Sequence, residues 1–330
     1  MNDAGVTSPM DLLAGIDWAA LERAYGRADD LPERLAGLLS GDPPAAKGAL
    51  ADLDMCVLHQ GSIYSCTAPV ALFVAATLGD DRTGIALDDG CDEVRPLRAA
   101  LLEWLGQVGE SAAYCDDIAA PEQEERACQQ VRAELYRAVA PLVADPIMST
   151  RIDAVRAAGQ LLRAPDLVDE RQDLARRLEI MPAAEAVERA HQAFALDWCG
   201  VAPRPLLFDP DPRVRAYAAV ARTLDGDSRA LTEVRAALRE PDAVHEWFAD
   251  EDDPQRSGWF LHTLVQALLR RTSTFGDVES EAITIVEAPT TSYARLHCIN
   301  ALLPRACPGG VPHSPAALRL SEAIDRPAKR

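Results

Sequence analysis

Apolar positions recur at helical spacing along most of this chain. Two clear examples are the leucine stripes at 31, 35, 38 and 39 and at 97, 101, 102 and 105. Residues three and four positions apart share one face of a helix, so each stripe predicts an amphipathic helix that is buried on that face. Ala, Leu and Arg are abundant, and they favour helix because they lose little side-chain freedom there.

The same periodicity predicts a series of helices joined by short turns. After a helix that follows the Gly-Asp-Pro-Pro turn at 41–44, the predicted helices cover 67–78, 94–109, 123–143, 148–163, 167–179, 182–197, 212–224, 228–239, 258–271, 276–286, 291–304 and 314–325. No segment shows the alternation that is typical of a strand. The sequence therefore predicts an all-α fold without strands.

The turns before several of these helices resemble one another. The three clearest segments are "GDPPAAKGALADL" at 41–53, "DPIMSTRIDAVRAAGQLL" at 145–162 and "DPDPRVRAYAAVARTL" at 209–224. Asp caps the free N–H groups of a helix start, and Pro is tolerated in the first turn. Small residues, namely Ala157, Ala158, Ala218 and Ala219, allow neighbouring helices to approach closely. We expect an Asp or Arg at a fixed offset to tie each turn to the next.

This Asp-Pro, Val-Arg, Ala-Ala, Leu pattern resembles the HEAT repeat, an antiparallel pair of helices. The resemblance implies a right-handed α-solenoid of helical hairpin repeats, in which each repeat packs on its neighbours. We therefore expect a flexible lead over 1–16, a single solenoid domain over 17–325 and a loose tail over 326–330. Uneven spacing of the repeats places insertions at 79–93 and 240–257.

Residues 17–42 and 58–80 are similar to the N-terminal region of a group of bacterial HEAT-repeat proteins of undefined function. The matching positions are Trp18, Leu21, Ala24, Tyr25, Gly26, Pro32, His59, Gln60, Gly61, Tyr64, Thr67, Ala68 and Pro69. The resemblance implies no established chemistry. Some of these proteins are encoded near toxin–immunity systems, which implies a role in protein binding.

Charge narrows the classes of partner. The chain carries 52 acidic and 33 basic residues, a net charge of −19, and only two of the basic residues are lysines. Nucleic acids and anionic membranes are bound through Lys and Arg, so we expect neither partner. A protein with a basic surface is compatible with the charge. The start of the chain lacks a secretory signal and no stretch is long enough to span a membrane, so the sequence predicts a cytoplasmic protein.

The stretch "HQGSIYSCTAP", residues 59–69, has two interpretations. As a contact edge, its His59, Gln60 and Tyr64 form a binding surface together with Trp18 and Tyr25 of the N-terminal cap. As plain structure, Gly61 ends one helix in the left-handed conformation and Ser65 or Thr67 caps the next. A second candidate is "HEWFADEDDP" at 245–254, where Trp247 lies near a run of four acids at 250–253. The alternative there is that Trp247 and Phe248 pack inward.

The sequence contains only weak signals for a catalytic site or a metal-binding site. Cys56 and His59 supply one half of a zinc site, but no second half follows, and the acidic loop at 79–93 lacks the pattern of a calcium loop. Four histidines, at 191, 245, 262 and 297, sit in separate helical segments. Some DNA glycosylases use a HEAT-like solenoid, but the negative charge disfavours that function here. We therefore predict no catalytic residues, no metal and no cofactor.

Two functions remain. The first is a non-catalytic interaction module or scaffold that binds a protein partner in a concave groove, in a regulatory or immunity-like role. The second is an enzyme or small-molecule binder with a pocket in that groove. A deep closed cavity favours the second function, and an open acidic groove favours the first.

Overall fold

The computed structural model describes residues 8–88, 94–248, 259–288 and 293–324. The chain divides into two compact units, Met1–Met181 and Pro182–Arg330. A single domain over 17–325 stays a prediction, and the predicted tail at 326–330 lies outside the described residues. Each unit is described by itself below.

The described part of the first unit contains eight α-helices, which follow the predicted series closely. They are α1 (Pro9–Ala14), α2 (Leu31–Leu35), α3 (Pro43–Asp52), α4 (Thr67–Thr77), α5 (Leu97–Tyr114), α6 (Gln123–Val139), α7 (Met148–Leu161) and α8 (Val168–Ile180). Short 3₁₀ segments connect several of them, and a π turn at Leu53–Val57 extends α3. Helix α1 lies within the segment that was predicted to be a flexible lead, and its Leu13 is buried.

Helix α5 is the centre of the first unit. It is buried on almost every side, with Trp104 only 1% exposed. Its closest neighbour is α7. A Cβ built on Gly106 would lie 3.2 Å from Ala157 Cα, and one built on Gly109 would lie 3.1 Å from Leu161 N. The two helices can approach this closely because glycine has no side chain, and the predicted role of Ala157 in close helix approach is confirmed.

Two small antiparallel hairpins contradict the prediction that the chain has no strands. Strands β1 (Glu22–Arg23) and β2 (Gly26–Arg27) pair around a tight turn. Strands β3 (Ala86–Asp88) and β4 (Val94–Pro96) pair ahead of α5. Each strand is two or three residues long, which is too short to show an alternating pattern in the sequence.

The described part of the second unit contains eight further α-helices. They are α9 (Ala186–Trp198), α10 (Pro212–Ala219), α11 (Ser228–Leu238), α12 (Pro241–His245), α13 (Phe260–Arg271), α14 (Glu279–Glu287), α15 (Tyr293–Ala306) and α16 (Pro315–Ile324). In the core, the rings of Tyr217 and Phe260 stack with their centroids 3.6 Å apart. The predicted helix at 212–224 ends early at Ala219 and is followed by a 3₁₀ turn at Arg222–Leu224.

Five consecutive helices, α6 to α10, carry an arginine as their fourth residue. Each of these arginines donates a hydrogen bond to a carbonyl just before its own helix: Arg126 to Pro121, Arg151 to Asp145, Arg171 to Ala164, Arg189 to Ala184 and Arg215 to Asp209. These carbonyls precede the helical ladder and need a partner from outside it. Each of these arginines therefore links a helix to the turn before it. The predicted link from one turn to the next holds for Arg189, which also donates to the Asp209 carboxylate of the following turn at 2.7 Å.

The two best repeat-like segments also share their turn geometry. The Asp145 carboxylate accepts a hydrogen bond from the N–H of Ile147 at 2.8 Å, and the Asp209 carboxylate accepts one from the N–H of Asp211 at 2.9 Å. Similar sequence thus produces the same local turn twice.

The all-α class is confirmed, apart from the two hairpins. The right-handed solenoid arrangement stays a prediction. Within the described ranges, no helix combines the length and the apolar sequence that a bilayer crossing requires.

Candidate functional site

The connector, residues 58–66, contains two consecutive residues in the left-handed conformation. Gln60 has a φ of 53° and Gly61 has a φ of 78°. The predicted left-handed stop at Gly61 is confirmed. A non-glycine residue in this region is uncommon, so the backbone at Gln60 is held by its surroundings. The chain reverses here and lies against α5.

Thr67 holds the connector in place from behind. Its hydroxyl donates to the Val57 carbonyl at 2.7 Å and accepts from the Tyr64 N–H at 2.9 Å. The hydroxyl of Ser65 instead accepts from the Glu22 N–H at 2.7 Å. The prediction that Ser65 or Thr67 caps α4 is therefore wrong, because both hydroxyls bind backbone groups of other segments.

Tyr25 and His59 lie together on the surface of the first unit. The Tyr25 hydroxyl and His59 Nε2 are 3.3 Å apart and share a hydrogen bond, and the two ring centroids are 5.4 Å apart. Tyr25 is 63% exposed. Residues that are 34 positions apart in the sequence thus form one polar edge.

Helix α5 is open to solvent along a single stripe near its C-terminal end. Gln107, Glu110, Ser111 and Tyr114, here called the α5 stripe, are incompletely buried in a helix whose other residues are buried, apart from Arg98 near its start. Their spacing of i, i+3, i+4 and i+7 places them on one face. Tyr114 is 79% exposed, which is unusual for a large ring on the central helix of a unit.

The connector and the α5 stripe border an open groove of about 620 Å³. The connector contacts the stripe closely, since a Cβ built on Gly61 would lie 3.5 Å from Ser111 Oγ. The groove is lined by Leu58, Gln60, Gly61, Ser62, Ile63, Gln107, Glu110, Ser111, Tyr114, Cys115, Ile118 and Glu125. Its floor is one helix face, and its walls are the connector on one side and the start of α6 on the other.

Among the residues that the structure describes, the groove is lined by two carboxylates, Glu110 and Glu125, and by no basic residue. A buried cation of α6 is already neutralised by the turn that follows α5. Arg132, which is 3% exposed, donates to both carboxylate oxygens of Asp116 at 2.7 and 2.8 Å. The groove therefore presents negative charge. Burial, followed by the nearby Glu125, raises the pKa of the Cys115 thiol to about 11. Because the thiolate is the nucleophile, Cys115 is unreactive at neutral pH.

The other predicted site residues lie elsewhere. Trp18 is 6% exposed and its indole N–H donates to the Leu13 carbonyl at 2.7 Å, so it belongs to the core. Tyr64 belongs to the connector but is half-buried and does not line the groove. Trp247 belongs to the second unit, where it packs against Phe260 with ring centroids 6.2 Å apart. Trp247 and Phe248 pack inward, as the structural interpretation predicted, and residues 249–254 of that segment lie outside the described ranges.

No group of three or more His, Cys, Asp or Glu side chains that could hold a metal ion is found among the described residues. Cys56 donates to the Asp52 carboxylate at a sulfur–oxygen distance of 3.9 Å. Arg270 and Arg271, an adjacent basic pair, both bind the Asp225 carboxylate. In addition, Arg270 donates to the Val220 carbonyl and Arg271 to the Ala221 carbonyl. Their role in the structure is to tie α13 to the turn after α10.

The second unit brings together two histidines that are far apart in the sequence. His262 of α13 and His297 of α15 have ring centroids 6.1 Å apart, and both rings contact Trp259. Burial, followed by the nearby His297, lowers the pKa of His262. The His262 Nε2 atom lies 3.1 Å from Gln266 Nε2, which suits a neutral imidazole that accepts a hydrogen bond.

We expect His262 to make the protein less stable at acidic pH. A lowered pKa in the folded state means that the unfolded state binds the proton more readily, so stability falls as the pH drops below about 6.5. Between pH 7 and pH 5 the Tm of the wild type should drop further than that of His262→Gln, by on the order of one degree because the site is partly exposed. His313→Gln, at an exposed position, should keep the wild-type dependence, and equal slopes for all three proteins would contradict this prediction.

The sequence reasoning missed the α5 stripe, Ile118 and Glu125. A signal was present, because polar residues at 107, 110, 111 and 114 follow helical spacing in an otherwise apolar segment. That signal could not be used, since the predicted helix ended at Gly109.

No protein-family model matches the sequence, and no curated protein matches it either. The resemblance to bacterial HEAT-repeat proteins therefore stays a prediction. The function has to be argued from the geometry of the groove.

Proposed function

We propose that this chain is a non-catalytic protein-interaction module built from HEAT-like helical repeats, and that the groove of the first unit binds a segment of a partner protein. The observation that carries the proposal is the α5 stripe. The central helix of a unit is normally covered on all sides, and exposed apolar or aromatic surface in such a place is typical of an interaction site. Tyr114 and Ile118, which are 79% and 40% exposed, supply that surface.

The repeated turn geometry supports the HEAT-like part of the proposal. Arg151 and Arg215 bind the carbonyls of equivalent Asp-Pro turns at 2.6 and 2.9 Å. Short antiparallel helices linked by such turns are typical of repeat proteins, which bind partners along one face. Such turns are a property of the architecture and are independent of the groove.

An interaction site fits the groove better than a small-molecule pocket. The groove is open, with Glu110 and Tyr114 facing solvent, whereas drug-sized ligands are usually enclosed. Its lining contains no histidine that could activate Ser62 or Ser111, and the Cys115 thiol is protonated at neutral pH. An enzyme or small-molecule binder remains the alternative outcome of the experiment below.

Filling the groove should abolish capture of the partner. Ser111→Trp places a large ring on the floor of the groove, whereas Gln130→Trp places the same ring on an exposed position of α6 outside it. We expect wild type and Gln130→Trp to retain a partner protein from lysate of the native cells, and Ser111→Trp to lose it. Mass spectrometry identifies the retained protein, and circular dichroism checks that each variant is folded.

Two results would contradict the proposal. Equal capture by all three proteins would remove the groove as the interaction site. Capture of a small molecule, lost in Ser111→Trp with no protein partner, would establish the ligand-binding alternative.

A further inference from the structure

We infer that the partner segment carries an Arg or Lys next to an apolar residue, and that its cationic group lies between the Glu110 carboxylate and the ring of Tyr114. The inference deepens the proposed function and rests on it. The shape of the groove alone does not specify the charge of the side chain that binds there.

The first step concerns charge. Most carboxylates around the groove already have partners: Glu103 binds Arg95 at 2.7 Å, and Asp116 binds Arg132. One oxygen of Glu125 accepts from the Glu122 N–H at 2.7 Å. Glu110 is exposed and makes no ion pair or hydrogen bond with any described residue. An unpaired carboxylate in a groove without basic residues favours a cationic ligand.

The second step concerns geometry. Glu110 and Tyr114 are four residues apart on α5, which places their side chains about 5–6 Å apart at the Cβ atoms on one helix face. A guanidinium or ammonium group can then contact the carboxylate and the aromatic face together, as a combined ion pair and cation–π contact. Tyr114 is 79% exposed, and it makes no hydrogen bond or ring contact with any described residue that would prevent this.

The third step identifies a peptide as the source of the cation. Leu58, Ile63 and Ile118 form apolar parts of the wall of the same groove. A free polyamine has no branched apolar group to bury there, whereas a peptide with neighbouring basic and apolar side chains satisfies both parts. A groove of about 620 Å³ is large enough for side chains of this size.

The experiment selects random twelve-residue peptides displayed on phage against wild type, with counter-selection on Ser111→Trp to keep groove-dependent sequences. We expect enrichment of Arg or Lys beside an apolar residue. Synthetic copies of the selected peptides should bind roughly two- to five-fold more weakly to Glu110→Gln, and by a similar factor to Tyr114→Leu. Glu134→Gln, an exposed carboxylate of α6 outside the groove, should bind like wild type.

Replacing the basic residue of a selected peptide with citrulline should weaken binding to wild type by a similar factor, with no further loss in Glu110→Gln. Groove-dependent peptides without basic residues would overturn the inference and leave the proposed function standing. Failure to find any groove-dependent peptide would overturn both. If spermine displaced the peptides at a concentration equal to theirs, the inference that a peptide supplies the cation would be wrong.

Discussion

Replacing Gly109 with valine should lower the free energy of unfolding by about 3 kcal/mol. A Cβ at this position would lie 3.1 Å from Leu161 N and 3.2 Å from Leu161 Cγ. The two γ-methyl groups of valine extend further into α7, so the two helices must separate. Because Leu161 meets the added group with its backbone, rotation of one side chain cannot relieve the overlap. Urea unfolding followed by far-UV circular dichroism measures the change.

The matched control is Gly48→Val. Gly48 lies in the helix α3, is exposed, and would meet nothing within 4 Å of an added Cβ. Valine is a slightly better helix former than glycine, so this variant should be as stable as wild type or more stable by a few tenths of a kcal/mol. If the two variants unfold at the same urea concentration, α5 and α7 do not approach each other as closely as described.

These glycines show why part of the fold could be predicted and part could not. The leucine stripe at 97, 101, 102 and 105 predicted helix α5, but the predicted helix ended at Gly109, whereas the helix continues to Tyr114. Glycine often follows the end of a helix, and it also occurs where two helices touch. A local pattern cannot separate these cases, since the second depends on Leu161, which is 52 residues away.

Capping and turn chemistry was predictable because it is local. Asp42 and Asp211 cap α3 and α10 as expected, accepting from the N–H groups of Ala45 and Arg213. The hydroxyl of Thr67 was not predictable in this way. It bonds to the Val57 carbonyl ten residues earlier, which requires the connector to be folded already.

One side of the candidate groove followed from the sequence, since residues 60–63 of its lining belong to the predicted stretch 59–69. Polar residues that crowd into a turn predict a contact surface at His59 and Gln60, and the structure places Gln60 in the groove and His59 against Tyr25. Trp18 is predicted as part of the N-terminal cap and of the binding surface, and its ring is buried with its N–H satisfied inside the core. An aromatic residue near a turn can either form a contact surface or fill the core, and only the packing of the surrounding helices decides between these two roles.

The wall of the groove at the start of α6 depends on a buried ion pair. Arg132 of α6 is 3% exposed and binds Asp116, which belongs to the 3₁₀ turn Cys115–Asp117 that follows α5. Gln129 also donates to the Asp116 carboxylate, at 3.1 Å. The pair therefore fixes the turn that carries Cys115 into the lining of the groove and joins it to α6.

Replacing Asp116 with asparagine should lower the free energy of unfolding by about 3 kcal/mol, because it leaves the Arg132 guanidinium buried without a counter-charge. The control is Asp173→Asn, whose partner Arg176 is 72% exposed, and which should change stability by less than about 1 kcal/mol. Removing the buried cation as well, in Asp116→Asn/Arg132→Met, should recover at least about 1 kcal/mol of the loss. Urea unfolding of all variants measures this coupling. If Asp116→Asn is as mild as Asp173→Asn, or if the double variant is no more stable than Asp116→Asn, the pair does not fix the wall of the groove.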